Sequence, residues 1–176
     1  MLTRLLRPKV KDRTGEALYA LAVTQARQPG FYTVLGVADR IDSRFELYTL
    51  HVLLLVLRLH DEGAGEGEDN AQALFDAYVS ALDHALRELG VGDVSVGKKM
   101  RKLGEALYGR MKAYEAPLRS GDAEALAGAL AKNVYESDDA GAARSLSGYA
   151  ITARALLATQ GLKAIKSGPT WPDIQP

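Results

Sequence analysis

The chain has 176 residues with equal numbers of basic and acidic side chains, a composition that fits one globular domain with a hydrophobic core. Because the net charge is zero, no overall field attracts the protein to nucleic acid, and we do not expect nucleic acid as its main ligand. The absence of cysteine excludes disulfide bonds, thiolate zinc sites and thiol catalysis. The longest run made only of Val and Leu, residues 52–57, is far shorter than the roughly 20 apolar residues that a transmembrane helix needs.

Residues 1–13 are strongly basic, with five Lys or Arg residues and one acidic residue, Asp12. A transit peptide is normally longer and rich in serine. We therefore interpret residues 1–13 as a basic N-terminal arm of the mature protein that contacts anionic lipid. A frayed, solvated terminus is the alternative interpretation.

Helical periodicity follows the arm. A first helix is predicted to begin at a Thr14 cap and to end before Pro29, and an irregular segment comes next. The second helix shows a capping-box pattern, with Ser43 at the N-cap and Glu46 three residues later. From residue 45 to residue 59 it is apolar nearly all round, as is typical of a helix surrounded by other helices.

The remaining segments complete an all-α pattern. A flexible acidic loop is predicted at residues 62–70, and an extended C-terminal tail at residues 162–176. Four further helices are predicted, with these limits: a cap at Asn70 to a stop at Gly90, a cap at Asp93 or Ser95 to Pro117, Asp122–Val134, and Asp139–Gln160. We predict an all-α, single-domain bundle of about six helices over residues 14–161, around a central apolar helix at about 43–60.

The three histidines give a weak indication of chemistry. His51 lies among apolar residues and is expected to be a hydrogen-bonded core histidine. His84 and Glu88 have the i, i+4 spacing that offers two metal ligands, but the sequence does not indicate the other ligands. An enzyme or metalloprotein built on His84 and Glu88 therefore remains an alternative hypothesis, and we expect no metal and no catalytic residues.

A phosphate-binding loop is also not indicated. Gly92 to Lys98 has the spacing G-x-x-x-x-G-K, but Lys99 stands where the motif needs Ser or Thr for magnesium. The preceding element is a predicted helix, whereas a P-loop follows a strand. These residues do not predict a nucleotide site.

The fourth predicted helix contains Gly97, Gly104 and Gly109, although each interior glycine costs about 1 kcal/mol relative to alanine. Gly97, Gly104 and Met111 are seven residues apart and form a seam of small residues beside an apolar stripe. Such a seam either packs tightly against another helix or leaves a shallow groove for a partner. Five basic residues surround it: Lys98, Lys99, Arg101, Lys102 and Arg110.

Two long blocks resemble the ubiquinol–cytochrome c chaperone family. They are LYALAVTQARQPGFYTVLGVADRIDSRFELYTLHV (18–52) and ALFDAYVSALDHALRELGVGDVSVGKKMRKLGEALYGRMKAYEAPL (73–118). The shorter pieces AKNVY and LSGYAITARALL extend the resemblance to about residue 157. The acidic loop and both termini are outside it.

The resemblance implies a helical, non-enzymatic assembly factor without a cofactor. Such a factor binds newly made cytochrome b and supports assembly of ubiquinol–cytochrome c reductase (complex III). Mitochondrial members work with a second factor near the ribosomal exit. The short N-terminus resembles a bacterial member, which implies a location in the bacterial cytoplasm, peripheral to the inner membrane, or on the matrix side in a eukaryote. The alternative is a general membrane-surface or protein-interaction module without a dedicated client.

In such a chaperone, the glycine-containing helix is expected to form the client-binding groove. Its predicted lining is Gly97, Met100, Leu103, Gly104, Tyr108 and Met111, with Tyr114 as a second aromatic anchor and the five basic residues as the rim. In the other matching block, Phe31 and Tyr32 are expected to anchor a loop in the bundle. Arg44 is expected to pair with Asp39 or Glu46.

Overall fold

The computed structural model describes residues 13–88 and 93–175, with the side chains of 93–96 left out. Within these ranges the regular structure is entirely helical, which confirms the predicted all-α fold. The helices are α1 (Thr14–Ala26), α2 (Gly30–Thr33), α3 (Ile41–His60), α4 (Glu66–Glu88), α5 (Asp93–Ser120), α6 (Ala123–Val134), α7 (Arg144–Ala158) and α8 (Leu162–Ser167). A 3-10 turn, Ala140–Ala143, precedes α7.

Helix α3 is the centre of the bundle, as predicted. It contacts α1, α4, α5, α6 and α7, and every residue from 49 to 59 is buried. Each fully buried leucine contributes roughly 1.5–3 kcal/mol through removal of apolar surface from water. The nearly continuous apolar sequence of α3 is therefore explained by neighbours on all of its sides.

The predicted capping box of α3 is wrong. The helix begins at Ile41, Arg40 occupies the N-cap position, and no side chain caps it. Ser43 and Glu46 are buried inside the helix, at 2% and 3% exposure. Glu46 does not turn back to the backbone, because its carboxylate pairs with Arg110 on α5.

Other helix starts also differ from the predictions. Arg13, and not Thr14, occupies the N-cap position of α1, without a side-chain cap. Helix α4 begins at Glu66, inside the predicted acidic loop, and Asn70 is buried within it. Acidic residues in its first turn favour this start because they complement the positive end of the helix dipole. The predicted stop at Gly90 and the predicted cap side chains of the next helix lie outside the described residues.

The C-terminal half follows the predicted order with changed ends. Helix α5 continues through Pro117 to Ser120. Asp122 is the N-cap of α6, since its carboxylate accepts a hydrogen bond from the Ala125 amide at 2.9 Å. Residues 162–167 form α8, so only residues 168–175 lack regular structure as expected for the tail. This tail packs on the bundle, where the Trp171 ring lies 5.3 Å from that of His51.

His51 is the hydrogen-bonded core histidine that the sequence predicts. Its Nδ1 donates to the Leu47 carbonyl oxygen at 2.8 Å, and its Nε2 accepts from the Tyr149 hydroxyl at 3.0 Å. The Tyr149 oxygen in turn accepts from Gln25 at 3.0 Å. Complete burial lowers the pKa of His51 to about 4, so the ring is neutral.

The loop before α3 is anchored as expected. Phe31 is fully buried, and its ring meets those of His51 and Tyr149 edge-on, at 5.1 and 4.9 Å. The Tyr32 hydroxyl reaches the Ala26 carbonyl oxygen at 3.3 Å. Arg44 pairs with Asp39 at 2.7 Å, one of the two partners predicted for it. Among the described helices, none is both long and apolar enough to span a membrane.

Helix α1 crosses α4 so closely at Gly15 that a β-carbon there would overlap the Ala73 carbonyl oxygen. We expect Gly15→Ala to lower the free energy of unfolding by about 1–3 kcal/mol, because a backbone atom cannot move aside easily. Gly148→Ala in α7 is the matched control. A β-carbon there meets no atom within 4 Å, so this change should stabilise the protein by about 0.5–1 kcal/mol. Urea denaturation of both variants measures the difference. Equal free energies of unfolding for the two variants would show that α1 and α4 are farther apart at Gly15 than in this structure.

Candidate binding groove

A groove of about 680 Å³ opens between the start of α3, the second half of α4, α5 and the end of α6. We call it the Glu46 groove. Its apolar walls come from the first three of these helices: Ile41, Phe45, Leu82, Leu86, Leu103 and Ala106. Ile41 is 73% exposed, and the other five are partly exposed. The described part of the chain thus leaves a continuous apolar surface uncovered.

Helical spacing brings these walls together. Leu82 and Leu86 are four residues apart on α4, and Leu103 and Ala106 are three apart on α5, so each pair occupies one helix face. Phe45 lies on the side of α3 between the two faces and packs near the Tyr78 ring, at 6.4 Å between centroids. The second half of α4 contributes Leu82 and Leu86, whose side chains are only partly buried.

An ion pair forms the floor of the groove. A Glu46 carboxylate oxygen lies 2.5 Å from Arg110 Nε, and the two side chains are 4% and 26% exposed. The Arg110 guanidinium also lies over the Phe45 ring, 5.6 Å from its centroid. The second carboxylate oxygen of Glu46, Oε2, is buried and accepts no hydrogen bond from the described residues. Such a group is costly in a folded protein, because the hydrogen bonds it makes in water are not replaced.

The environment of Glu46 weakens its acidity. Burial raises the pKa of this carboxyl to about 7, although the Arg110 charge and hydrogen bond act in the opposite direction. Asp42, one turn earlier on α3, adds a small repulsion that also raises it. Tyr78 and Tyr114 lie behind Glu46, and burial raises the pKa of each phenol well above its ordinary value. These two hydroxyls therefore remain protonated.

The rim of the groove is positively charged. Lys99, Lys102 and Lys132 line it, and none of them forms an ion pair with a described acidic residue. The two acidic residues at the rim differ: Glu136 pairs with Arg40 at 2.8 Å, and Asp42 is exposed. Three uncompensated ammonium groups around apolar walls favour a ligand with negative charge at its edges.

The residues predicted to form one groove divide between two sides of α5. Leu103 lies in the Glu46 groove with the rim residues Lys99, Lys102 and Arg110. Tyr108 and Met111 line a separate hollow of about 440 Å³ between α3, α4 and α5. The prediction of one continuous groove is therefore wrong. Leu103 and Tyr108 are five positions apart, which is roughly 140° around a helix.

We call the second concavity the Tyr108 hollow. Gly97 and Gly104 share the helix face of Tyr108 and Met111, with spacings of seven, four and three residues. Both glycines are exposed, and a β-carbon at either would meet no atom within 4 Å. The alternative interpretation, tight helix packing through Gly104, is therefore wrong. Met100 is partly exposed, whereas Lys98 and Arg101 are exposed.

Sequence reasoning missed Glu46 and the wall residues of α3 and α4. The signal for Glu46 was present, since it is an acidic residue on an otherwise apolar helix and needs a buried partner. The capping-box pattern suggested that Glu46 caps the start of its own helix, and its pairing with a residue on another helix was therefore not predicted. Leu82 and Leu86 lie on the apolar stripe of α4, and the periodicity of that stripe does not show where the neighbouring helices end. Among residues 13–88 and 93–175, no group of three or more His, Asp or Glu side chains is arranged to hold a metal ion.

The comparisons with known proteins agree with the resemblance seen in the sequence. The family model described as "Ubiquinol-cytochrome C chaperone" matches residues 33–171. The crystal structure of the Cbp3 homolog from Brucella abortus is similar, with a TM-score of 0.80, 34% sequence identity, and coverage of 92% of this chain and 90% of that chain. Curated protein sequences give no significant match. This chain belongs to the ubiquinol–cytochrome c chaperone family.

The raised pKa of Glu46 predicts a pH dependence of stability. A carboxyl with a folded-state pKa of about 7 and an ordinary value of 4.5 stabilises the fold fully below about pH 4.5, and this contribution is lost as the pH rises to about 7. Over that window, the free energy of unfolding of the wild type should fall relative to Glu46→Gln by an amount on the order of 3 kcal/mol. Denaturant titrations across the window measure it. Asp42→Asn controls for the loss of one acidic side chain. If the free energy of unfolding changes with pH in the same way for wild type and Glu46→Gln, the pKa of Glu46 is not raised.

Proposed function

We propose that this protein is an assembly chaperone for ubiquinol–cytochrome c reductase that binds newly made cytochrome b in the Glu46 groove and does no bond-making of its own. One observation carries the proposal. A member of this chaperone family has an open groove with apolar walls and a positive rim, and no described residue covers it.

The groove suits a membrane-protein client on physical grounds. Newly made cytochrome b must expose apolar segments before its subunit partners and haem arrive, and exposed apolar surface aggregates in water. Apolar walls from three helices offer these segments a site of burial. Because the groove is open along its length, a segment can enter from the side without unfolding the bundle.

The opposite flank of α5 supplies a second contact surface in this proposal. The Tyr108 side chain is 71% exposed, an unusual state for an aromatic residue, and it lies beside Met111 at the edge of the Tyr108 hollow. Aromatic residues are enriched among those that dominate binding energies. Gly97 and Gly104 extend this flank and allow a partner backbone to come close. A longer client region, a second assembly factor or the ribosome are the partners that we propose for it.

We also propose a location at the membrane surface. Cytochrome b is inserted into the membrane, so its chaperone is expected to act on the bacterial cytoplasmic side of the inner membrane, or on the matrix side in a eukaryote. The basic N-terminal arm would then contact anionic lipid, with about 1 kcal/mol per basic residue near the surface. Residues 1–12 of this arm lie outside the described residues.

A deletion strain tests the proposal. Loss of the gene should lower mature complex III and the haem spectrum of cytochrome b while other respiratory complexes stay at their normal levels. Normal cytochrome b spectra in the deletion strain would reject the proposed client. An equal loss of several respiratory complexes would instead favour a general membrane-surface or protein-interaction module.

Complementation of that strain separates the two flanks of α5. Leu103→Glu places a charge in the Glu46 groove at a partly exposed position, so it should reduce restored complex III at least several-fold while the protein remains folded. Gly104→Leu on the other flank is also expected to leave the fold intact, because a β-carbon at this exposed position meets no atom within 4 Å. Circular dichroism and accumulation of each variant in cells are the controls. If Leu103→Glu restores complex III fully and Gly104→Leu does not, the client binds on the flank of α5 that carries Tyr108.

A further inference from the structure

We propose that residues 1–12 of the basic N-terminal arm fold back across α4 and cover the Tyr108 hollow of the same chain. The leucines of the arm enter the hollow, and its basic residues lie on an exposed acidic face of α4. The inference goes beyond the proposed function, in which the arm contacts lipid and the hollow binds a partner. It follows from the place where the arm leaves the bundle, the charges beside that place and the order of residues in the arm.

The arm leaves the bundle beside the hollow. The structure describes the chain from Arg13, and Gly15 lies against Ala73 of α4. Phe75, which lines the hollow, is two positions after Ala73 and therefore roughly 200° around the helix. The start of α1 and the hollow thus lie on opposite sides of α4, which is about 10–12 Å across with its side chains. Seven extended residues reach roughly 23 Å, enough to pass around it.

The face of α4 between the start of α1 and the hollow is acidic. Asp69, Gln72 and Asp76 follow one another at intervals of three and four residues and form one exposed stripe. Around the helix, this stripe lies between Ala73 and Phe75. Gln72 donates to Asp76 at 2.8 Å, but neither aspartate forms an ion pair with a basic residue in the described ranges. Two carboxylates without a cationic partner favour a basic segment that passes over them.

The hollow offers a site of burial for apolar side chains. Its apolar lining comes from α3, α4 and α5 and includes Leu53, Leu57, Phe75, Tyr108 and Met111. Phe75 and Met111 are partly exposed, and Tyr108 is exposed. The α5 wall also carries an exposed cation, Lys112, which disfavours basic residues inside the hollow. The hollow therefore suits aliphatic side chains better than the charged residues of the arm.

The leucines of the arm supply such side chains. Leu2, Leu5 and Leu6 are three and four residues apart, the spacing of one helix face. Burial of a leucine side chain outweighs a single exposed ion pair in free energy. The leucines are thus expected to supply most of the affinity, and the basic residues to direct the arm over the acidic stripe.

The order of residues in the arm matches the order of the surfaces. Counted outward from α1, the basic residues Lys11, Lys9 and Arg7 come first, and the leucines follow with Arg4 among them. A chain that starts at α1 therefore passes the acidic stripe with its basic residues and reaches the hollow with its leucines. The Glu46 groove is a poorer site for the arm, because its rim is already positively charged and would repel these residues.

The arrangement makes the arm a cover that an anionic membrane can remove. The acidic stripe and anionic headgroups compete for the same basic residues of the arm. Away from the membrane the arm covers the hollow, and at the membrane surface the arm is released and the hollow opens. This consequence rests on the proposed function, which brings the protein to that surface.

Disulfide formation tests the docking in the full chain, which contains no cysteine of its own. One variant carries Leu6→Cys with Met111→Cys, and the matched control carries Leu6→Cys with Leu103→Cys. Met111 and Leu103 are both partly exposed, and they lie on opposite flanks of α5. Because a disulfide needs the two Cα atoms within about 7 Å, docking should make the Met111 pair form at least tenfold faster in a glutathione buffer. Mass spectrometry measures both rates.

Further substitutions in the Met111 pair test what holds the arm. Leu2→Ser with Leu5→Ser, and separately Asp69→Asn with Asp76→Asn, should each slow the disulfide at least fivefold. The matched control is Asp138→Asn with Asp173→Asn, which removes the same charge at two exposed positions outside α4 and the hollow. This control should leave the rate unchanged. Circular dichroism verifies that each variant is folded.

Three outcomes would overturn the inference. They are equal rates for the two cysteine pairs, a Met111 pair whose rate neither the leucine nor the aspartate variant lowers, and a disulfide that joins two chains, which would assign the hollow to the arm of a second copy. None of these changes the deletion phenotype, which decides the proposed function separately.

Vesicles test the release of the arm. Phosphatidylglycerol vesicles should slow the Met111 pair at least fivefold, whereas phosphatidylcholine vesicles should leave it unchanged, because only the former attract the basic residues. A fast Met111 pair that phosphatidylglycerol does not slow would keep the docking and reject the lipid contact of the arm.

Discussion

An ion pair between Glu46 and Arg110 joins α5 to the first half of α3. Glu46 is a buried carboxylate on a helix that is otherwise enclosed by apolar neighbours, so its partner has to be held close. Arg110 meets this need from α5, while Leu107 and Tyr114 on the same helix are buried in the core. Covering a charged pair with aliphatic side chains costs free energy. The groove opens beside this polar pair in an otherwise apolar bundle.

The parts of the fold that depend on local composition could be predicted from the sequence. Helix α3 is apolar on every face, and this pattern has few explanations other than a central position. His51 was assigned correctly for the same reason, since its neighbours in sequence are apolar. The start of α3 could not be predicted in the same way. Ser43 and Glu46 have the spacing of a capping box, but burial and a distant arginine decide their role, and local spacing contains no information about either.

The candidate site shows the same limit more strongly. Periodicity on α5 places Leu103 and Tyr108 at defined angles around the helix, but it does not say which neighbour lies beside each face. The groove needs Phe45 from α3 and Leu86 from α4, whose contributions depend on how three helices cross. Tertiary packing also orders segments with loop-like composition. Ile165 in the predicted extended tail is fully buried in a short helix, because the bundle offers it an apolar surface.

The polar floor also has a consequence for release of a bound segment. A chaperone has to let its client go, so a groove that was apolar throughout would risk holding an apolar segment too tightly. The exposed lysines of the rim add attraction that salt and water screen. The stability lost by burying a carboxylate with one free oxygen is the kind of cost that proteins retain at functional positions, where local optimisation of the fold gives way to binding.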